Sequence, residues 1–385
     1  MLFLGTRECS WCSPNTWTER PSFNTLEAQV AWWIWRGVDN IGPRGGAMQV
    51  VVLAGGVGSR LRPWTNSIPK PLLPVLDQTL LEHVVSSLPA DMVDEVVVAG
   101  GYKVDQIKAY FEAADAPFDV RIVPEDEPLG TGGALGNCRD VVSGTFACFN
   151  GDIISSLDAS SLLSMHRTNG SVGTLGLWEV EDPTRFGIVG LDDDNRITRF
   201  KEKPAPEEVF SNLINAGSYI FNDDVFDWMP HGRHSIERDV FPKLAAEGLL
   251  SGVPFEGYFI DAGTPEAWNL AVKASIDHGR HRTGRLHGAQ PSWYASEEAL
   301  KGTTSASVIE HSMVSNGCTI GASHVAMSTL LKGARIGNAV DLRSCLVGEG
   351  AAVGDRCRLN GVVVDHGANV PAGTVQEGGA WPEQA

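Results

Sequence analysis

Residues 50–75 read VVVLAGGVGSRLRPWTNSIPKPLLPV, and this stretch decides the fold. Val50, Val51, Val52 and Leu53 form an apolar run too short for a helix and suited to a buried strand. It ends in Ala54-Gly55-Gly56-Val57-Gly58-Ser59-Arg60, where glycines let the chain turn sharply and approach a ligand closely. Backbone N–H groups in such a turn can cradle phosphates. Arg60 adds a rigid fork of donors, and Lys70 a point charge ten positions later. Pro63, Pro69, Pro71 and Pro74 stiffen the segment by fixing φ and removing donors.

Two common phosphate motifs do not fit. No Lys-Ser/Thr follows the glycines as a Walker loop requires, and Gly56-Val57-Gly58-Ser59-Arg60-Leu61 lacks the third glycine of the dinucleotide fingerprint. An ordinary glycine turn explains the glycines but not Arg60, Pro63 and Pro69-Lys70-Pro71 together. The whole pattern closely resembles the signature of the sugar-1-phosphate nucleotidylyltransferases. That family joins a nucleoside triphosphate and a sugar 1-phosphate into an NDP-sugar and pyrophosphate. The resemblance implies nucleotide binding at Leu53, Ala54, Gly55, Gly56 and Gly58, and phosphate work for Arg60 and Lys70.

Composition bounds the reading. The 385 residues suggest two or three domains, and an apolar fraction of 43% supports a sizeable core. A net charge of −17 argues against a nucleic-acid or anionic-membrane surface, so any basic anion site must be local. Seven scattered cysteines do not look like a disulfide framework, and no apolar stretch approaches the roughly 20 residues of a membrane span. A soluble, cytoplasmic protein is the expectation.

Residues 1–47 hold five of the 11 tryptophans and match nothing that follows. Cys9-Ser10-Trp11-Cys12 has no second pair to complete a zinc site. The expectation is an extension upstream of a native start at Met48, non-native or disordered. From 48 to 275, short strands alternate with helices, which implies an α/β domain with a mainly parallel, Rossmann-like sheet. Apolar periodicity predicts helices over Leu80–Leu88 and Val104–Phe111, and strands at Val96–Ala99 and Val120–Val123. In such sheets ligands sit beyond the carboxyl ends of the strands.

Several strand ends match the family's motifs. Leu129-Gly130-Thr131-Gly132-Gly133-Ala134 reads either as a tight helix entry or, by resemblance, as a base-binding wall made by Gly130, Thr131 and Gly132. Asn150-Gly151-Asp152 places an acid at a strand end, a natural ligand for Mg²⁺. The resemblance makes Asp152 one metal ligand, and Asp261 in Gly257–Pro265 the second. It implies sugar contacts from Gly151, from Gly187 in Phe186–Val189, from Glu202 in Phe200–Pro204 and from Asn215 in Asn215–Phe221, whose amide can bond hydroxyls in both directions. Lys203 would hold the sugar phosphate. Ser235–Pro242 also matches, but reads as a capped helix whose role is packing. Thr264 and Pro265 mark the N-cap and first turn of another helix.

After a linker over 276–305, the texture changes. Ile320, Ile336, Val353 and Val370 recur at 16, 17 and 17 residues. Between and around them apolar residues recur every five or six positions, at Val308, Val314, Leu342, Val347, Leu359, Val364 and Val375. This predicts a short left-handed hexapeptide β-helix over 306–376, with a tail over 377–385. Family members that end this way use it for homo-oligomer contacts. His311, His324 and His366 prompt comparison with acyltransferase β-helices, but the array is short and the structural reading is preferred.

The Glu125–Gly133 stretch and the tail look most like mannose-1-phosphate guanylyltransferases, while glucose-1-phosphate uridylyl- or thymidylyltransferases share nearly all other motifs. A non-catalytic NDP-sugar sensor would usually lose a charged residue. Arg60, Lys70, Asp152, Lys203 and Asp261 are all present, which favours an enzyme.

Overall fold

The computed structural model describes residues 47–114, 116 and 118–383. The expectation for residues 1–47, with its C-x-x-C, lies outside them except for Ala47. The elements that build the site run in order: β1 (Met48–Leu53), α1 (Leu80–Val85), β2 (Val93–Gly100), α2 (Val104–Ala113), β3 (Asp119–Pro124) and α3 (Gly130–Gly136). Next come β4 (Thr145–Asn150), β5 (Ile153–Ser155), α4 (Ala159–Asn169), β6 (Gly173–Glu179), β7 (Gly187–Leu191), β8 (Ile197–Glu202) and β9 (Leu213–Asn222). The domain closes with α5 (Ile236–Asp239), α6 (Phe241–Ala246), β10 (Leu250–Pro254), β11 (Phe259–Asp261) and α7 (Pro265–Asp277).

The main sheet has the order β8-β7-β9-β4-β1-β2-β3, with β6 and β10 joined through β9. The β4, β1, β2 and β3 strands run parallel, whereas β9 is antiparallel to β4 and turns the rest of the sheet. Both faces are covered. Val51, Val97 and Cys148 enter one core, and Val50, Val52, Val96 and Ala147 the other. That is why β1 reads as a continuous apolar run rather than an alternation. The predicted helices form: α1 starts at a capping box between Thr79 and Glu82, and α2 buries Ile107 and Phe111 while Tyr110 faces outward.

A β-helix of three parallel sheets follows. Its inner columns include Val314, Leu330, Val347 and Val364 on one wall and Ile320, Ile336, Val353 and Val370 on another. The stack begins before residue 306, because Ser292–Tyr294 already pairs with Met313–Val314. It runs past residue 376, because Ala380–Trp381 pairs with Val363–Val364. Two predicted inward positions are reversed. Val308 and Val375 are exposed, while their neighbours Ile309 and Gln376 take the inner sites. In a strand a one-residue offset swaps faces, so spacing alone misplaces the terminal coils.

α7 packs between the two parts. Trp268, Ala271, Val272 and Ile276 share one apolar cluster with Leu61, Trp64 and Leu73 on one side and with Met313, Leu331, Leu346 and Val363 of the β-helix on the other. Asn269 accepts from Thr329 Oγ1 at 2.8 Å. Among the described residues no helix is long and apolar enough to cross a membrane, and five cysteines are buried free thiols.

His83, on α1 near this junction, is buried and donates from Nε2 to the Val75 carbonyl at 2.8 Å. Burial, reinforced by the Arg280 and Arg282 charges, lowers its pKa to about 3. The folded state therefore keeps His83 neutral while the unfolded chain protonates it below its ordinary value of 6.5. Stability is lost progressively as pH falls from there toward 3. At about 1.4 kcal/mol per tenfold, that loss amounts to a few kcal/mol, a sizeable share of a fold's margin of ~5–15 kcal/mol. A His83→Gln variant is expected to keep more of its neutral-pH melting temperature at acid pH than the wild type. Equal acid losses in thermal melts would refute the assignment.

Candidate active site

The site forms where β1 and β4 end side by side, the place where parallel sheets leave a crevice. Two backbone bonds set the two ends: Ala54 N–H donates to Ala99 O at 2.8 Å, and Gly151 N–H to Leu53 O at 3.0 Å. A Cβ at Gly151 would stand 2.8 Å from that Leu53 oxygen, so only glycine permits the approach. Beyond β1, Gly55 and Gly56 are exposed, and Gly58 has φ of 64°, the left-handed turn that launches the Ser59–Leu61 helical turn carrying Arg60.

The charged residues meet here. Lys70 is almost fully buried, and its Nζ lies 2.9 Å from Asp152 Oδ2. Exposed ion pairs contribute about 0–1 kcal/mol, but removing one partner of a buried pair strands the other charge and costs several times more. β5 pairs with β11, which sets Asp261 opposite Ile153, and Ala262 N–H donates to Asp152 O at 2.9 Å. Two acids more than a hundred residues apart in sequence thus become neighbours. Burial first, and then the Asp152 charge, raise the Asp261 pKa, against the opposing fields of Lys70, Arg60 and Arg185. Asp261 Oδ1 is buried without a hydrogen-bond partner. A methyl group at Gly263 would collide with both the Arg60 guanidinium and the Asp261 carboxylate, so these groups flank the same glycine.

No cluster of three or more His, Cys, Asp or Glu poised for a metal occurs among the described residues. The donors present are the two carboxylates Asp152 and Asp261. They suit a hard cation that takes one or two carboxylates and fills its remaining positions with phosphate oxygens and water. The unpartnered Asp261 oxygen and the unfavourable charge of the pair are what such a cation relieves.

The residues expected to meet the sugar gather on the adjoining edge. Gly187 is in register with Glu202, and a Cβ there would sit 2.8 Å from Glu202 Oε2 and against Phe200. Lys203 lies 3.5 Å from Glu202 Oε1, with its own side chain 57% exposed. Asn215 donates to Tyr219 OH at 3.0 Å and accepts from Gly217 N–H at 3.1 Å, so its amide is oriented by neighbours and keeps one donor and one acceptor lone pair. The Phe186 ring meets Phe259 edge-on at 6.2 Å and links this edge to β11.

Three features went unread in the sequence. Glu237, on the helix read as packing, accepts from Thr131 Oγ1 at 2.6 Å and helps to raise the Glu202 pKa, second to burial. Arg185 lies within the field of Asp261. Glu125 donates nothing and accepts the Leu129 N–H at 3.0 Å through Oε2, while its Oε1 is buried without a partner beside Gly55. Chain spacing carries no signal for the first two; Glu125 stood within a quoted motif. The glycines of α3 behave differently from a simple base wall. The N–H groups of Gly132 and Gly133 both donate to His234 O, at 3.1 and 3.2 Å, and a Cβ at Gly130 or Gly132 would strike His234. The tight-entry reading accounts for Gly132. Gly130 is exposed, while the Thr131 hydroxyl is taken by Glu237 and by the Ile236 N–H.

The chain belongs to the sugar-1-phosphate nucleotidylyltransferases. The family model described as nucleotidyl transferase matches residues 49–276, and a second, described as GlmU-like, C-terminal hexapeptide, matches 298–377. The chain is 36% identical to a mannose-1-phosphate guanylyltransferase of Mycobacterium tuberculosis, covering 86% of this chain and 83% of that one. It is 31% identical to the mannose-1-phosphate guanyltransferase beta-B of Xenopus laevis, over 82% and 90% of the two chains. A crystal structure described as a glucose-1-phosphate thymidylyltransferase of Bacillus anthracis matches 60% of this chain and 96% of its own, with a TM-score of 0.54 and 27% identity. The protein is a nucleotidylyltransferase that forms an NDP-sugar, in a family that generally needs a divalent cation.

The raised Asp261 pKa gives a signed expectation. Its ionised form is unfavourable in the metal-free fold, so the penalty is present above the folded pKa and disappears as pH falls through it. Without divalent cation, Asp261→Asn should melt higher than the wild type at pH 7.5, and the gap should close under acid conditions. The same variant, and Arg60→Ala, should lose turnover by about 10²-fold or more. Near-normal turnover, or a gap that widens in acid, would overturn these assignments.

Proposed function

We propose that this chain joins GTP and mannose 1-phosphate into GDP-mannose and pyrophosphate in the cytoplasm. The observation that carries the reaction is the convergence of Arg60, Lys70, Asp152 and Asp261 at the ends of β1, β4 and β11. Two polyanions must meet for this chemistry, so positive charge and positioning dominate the demand. Arg60 stabilises the departing β- and γ-phosphates, and Lys70 assists at the phosphates. Lys203 holds the sugar phosphate, with Glu202, Asn215, Gly151 and Gly187 against the sugar. An ionised oxygen of the sugar phosphate attacks the α-phosphorus in line, and the bond to pyrophosphate breaks. That oxygen is already ionised near neutral pH, so no general base is required. Asp152 and Asp261 would hold Mg²⁺, which would neutralise triphosphate charge. Leu53, Ala54, Gly55, Gly56 and Gly58 cradle the nucleotide, with Gly130 and Thr131 toward the base.

The choice of guanine rests on Glu125 and on the names of the relatives. A carboxylate only accepts, and the guanine edge offers adjacent N1–H and N2–H donors. Uracil and thymine offer one N–H between two carbonyls, so the second carboxylate oxygen there meets an acceptor where guanine offers a donor. The unpartnered Oε1 beside Gly55 suits guanine. Exposed Val308 and Val375, on one sheet of the β-helix, support self-association through that domain.

The test is pyrophosphate release with Mg²⁺, crossing five nucleoside triphosphates against mannose, glucose and N-acetylglucosamine 1-phosphates. GTP with mannose 1-phosphate should be preferred. Glu125→Gln should lower kcat/KM for GTP by about 10–100-fold, the scale of one charge-assisted hydrogen bond, and narrow its lead over UTP. An undiminished GTP preference in that variant would remove Glu125 from base selection. Silence throughout, with NDP-sugar still bound, would mark a sensor instead.

A further inference from the structure

The arm that carries Arg60 and Lys70 shares an apolar cluster with the β-helix, and Trp64 adds a hydrogen bond across it. Trp64 is fully buried between them, and its indole N–H donates to the Val364 carbonyl at 3.0 Å. That carbonyl already accepts the Gly348 N–H at 2.9 Å, so Trp64 occupies its second lone pair. The indole lies against the imidazole of His366, ring centroids 5.8 Å apart and planes inclined by 30°. His366 is itself oriented, accepting the Glu349 N–H at Nδ1 at 3.0 Å.

From Trp64 the connection runs back to the phosphate turn in two bonds. The next residue, Thr65, donates from its hydroxyl to Gly58 O at 2.9 Å. The same oxygen accepts the Leu61 N–H at 2.9 Å and so closes the turn that presents Arg60. Tyr102 OH holds the Thr65 carbonyl at 2.7 Å. A leucine at position 64 could fill the apolar cluster around it. Only the indole also brings a donor to the β-helix backbone.

We propose that Trp64 is a positioning residue, through which the β-helix sets the place of the Arg60 turn for the triphosphate. The inference rests on the assignment of Arg60 to the departing phosphates. The β-helix is then part of the substrate site's support as well as a surface for association. The effect is selective: a triphosphate engages Arg60, whereas GDP-mannose lacks the departing pyrophosphate.

Trp64→Phe removes the donor and keeps most of the apolar bulk, and the Gly348 bond leaves Val364 O satisfied. In calorimetric titrations of the full chain, it should raise the GTP Kd about fivefold, the scale of one neutral hydrogen bond, and leave the GDP-mannose Kd within twofold. Introduced into Arg60→Ala, it should add nothing, because residues acting through one another are non-additive. Unchanged GTP binding, equal weakening of both ligands, or the same fivefold loss in the Arg60→Ala background would overturn the proposal. If Trp64→Phe does not fold, His366→Ala removes the surface under the indole and serves in its place. A selective loss of GTP affinity supports the proposal, and an unselective or absent loss overturns it. Failure of the wild-type chain to bind GTP would count against the proposed function instead, and would be evident before any variant is compared.

Discussion

Mutual repulsion between two anionic substrates is the constraint on which this structure depends. A protein of net charge −17 must gather them at one point, so its positive charge is local and held in place. Lys70 shows how. It is almost buried, and its position is set by Asp152 at 2.9 Å rather than by solvent. Burial first, and then the charge of the same acid, raise the pKa of Asp261. Charges of both signs are arranged before substrate arrives, which spares reorganisation at the moment of reaction.

The sheet makes that arrangement possible by bringing distant strand ends together. Asp152 follows β4, Asp261 ends β11, and the antiparallel β5–β11 pair sets their separation. β7 and β8 form an adjoining lip whose attachment to β11 runs through Phe186 and Phe259. The β-helix joins the catalytic domain through α7 and Trp64. Such contacts suit a reaction whose demands are charge and alignment.

Much of this was legible in the chain. β1 and its glycine turn, the start of α7 at Thr264 and Pro265, and the coil-to-coil period from Ile320 to Val370 are local signals, and the structure contains each. Misreadings arose where locality fails. Val308 and Val375 fit the spacing yet face outward, because no adjoining coil on one side fixes their register. Gly132 fits a base wall, but its N–H is taken by His234, a residue a hundred positions later. Glu237 reads as part of a capped helix and turns out to face Thr131 and Glu202.

By itself, then, the sequence determined what depends on neighbours along the chain: buried strands, turns that only glycine permits, helix caps and the coil repeat. Its motifs also identified the family. Only the tertiary structure decided which acids share a field, which donors are already spent and which side chain ties the phosphate arm to the β-helix. The physical reason is that fields and hydrogen bonds act through space over a few ångströms. Trp64 and Val364 are three hundred residues apart in the chain and 3.0 Å apart in the fold.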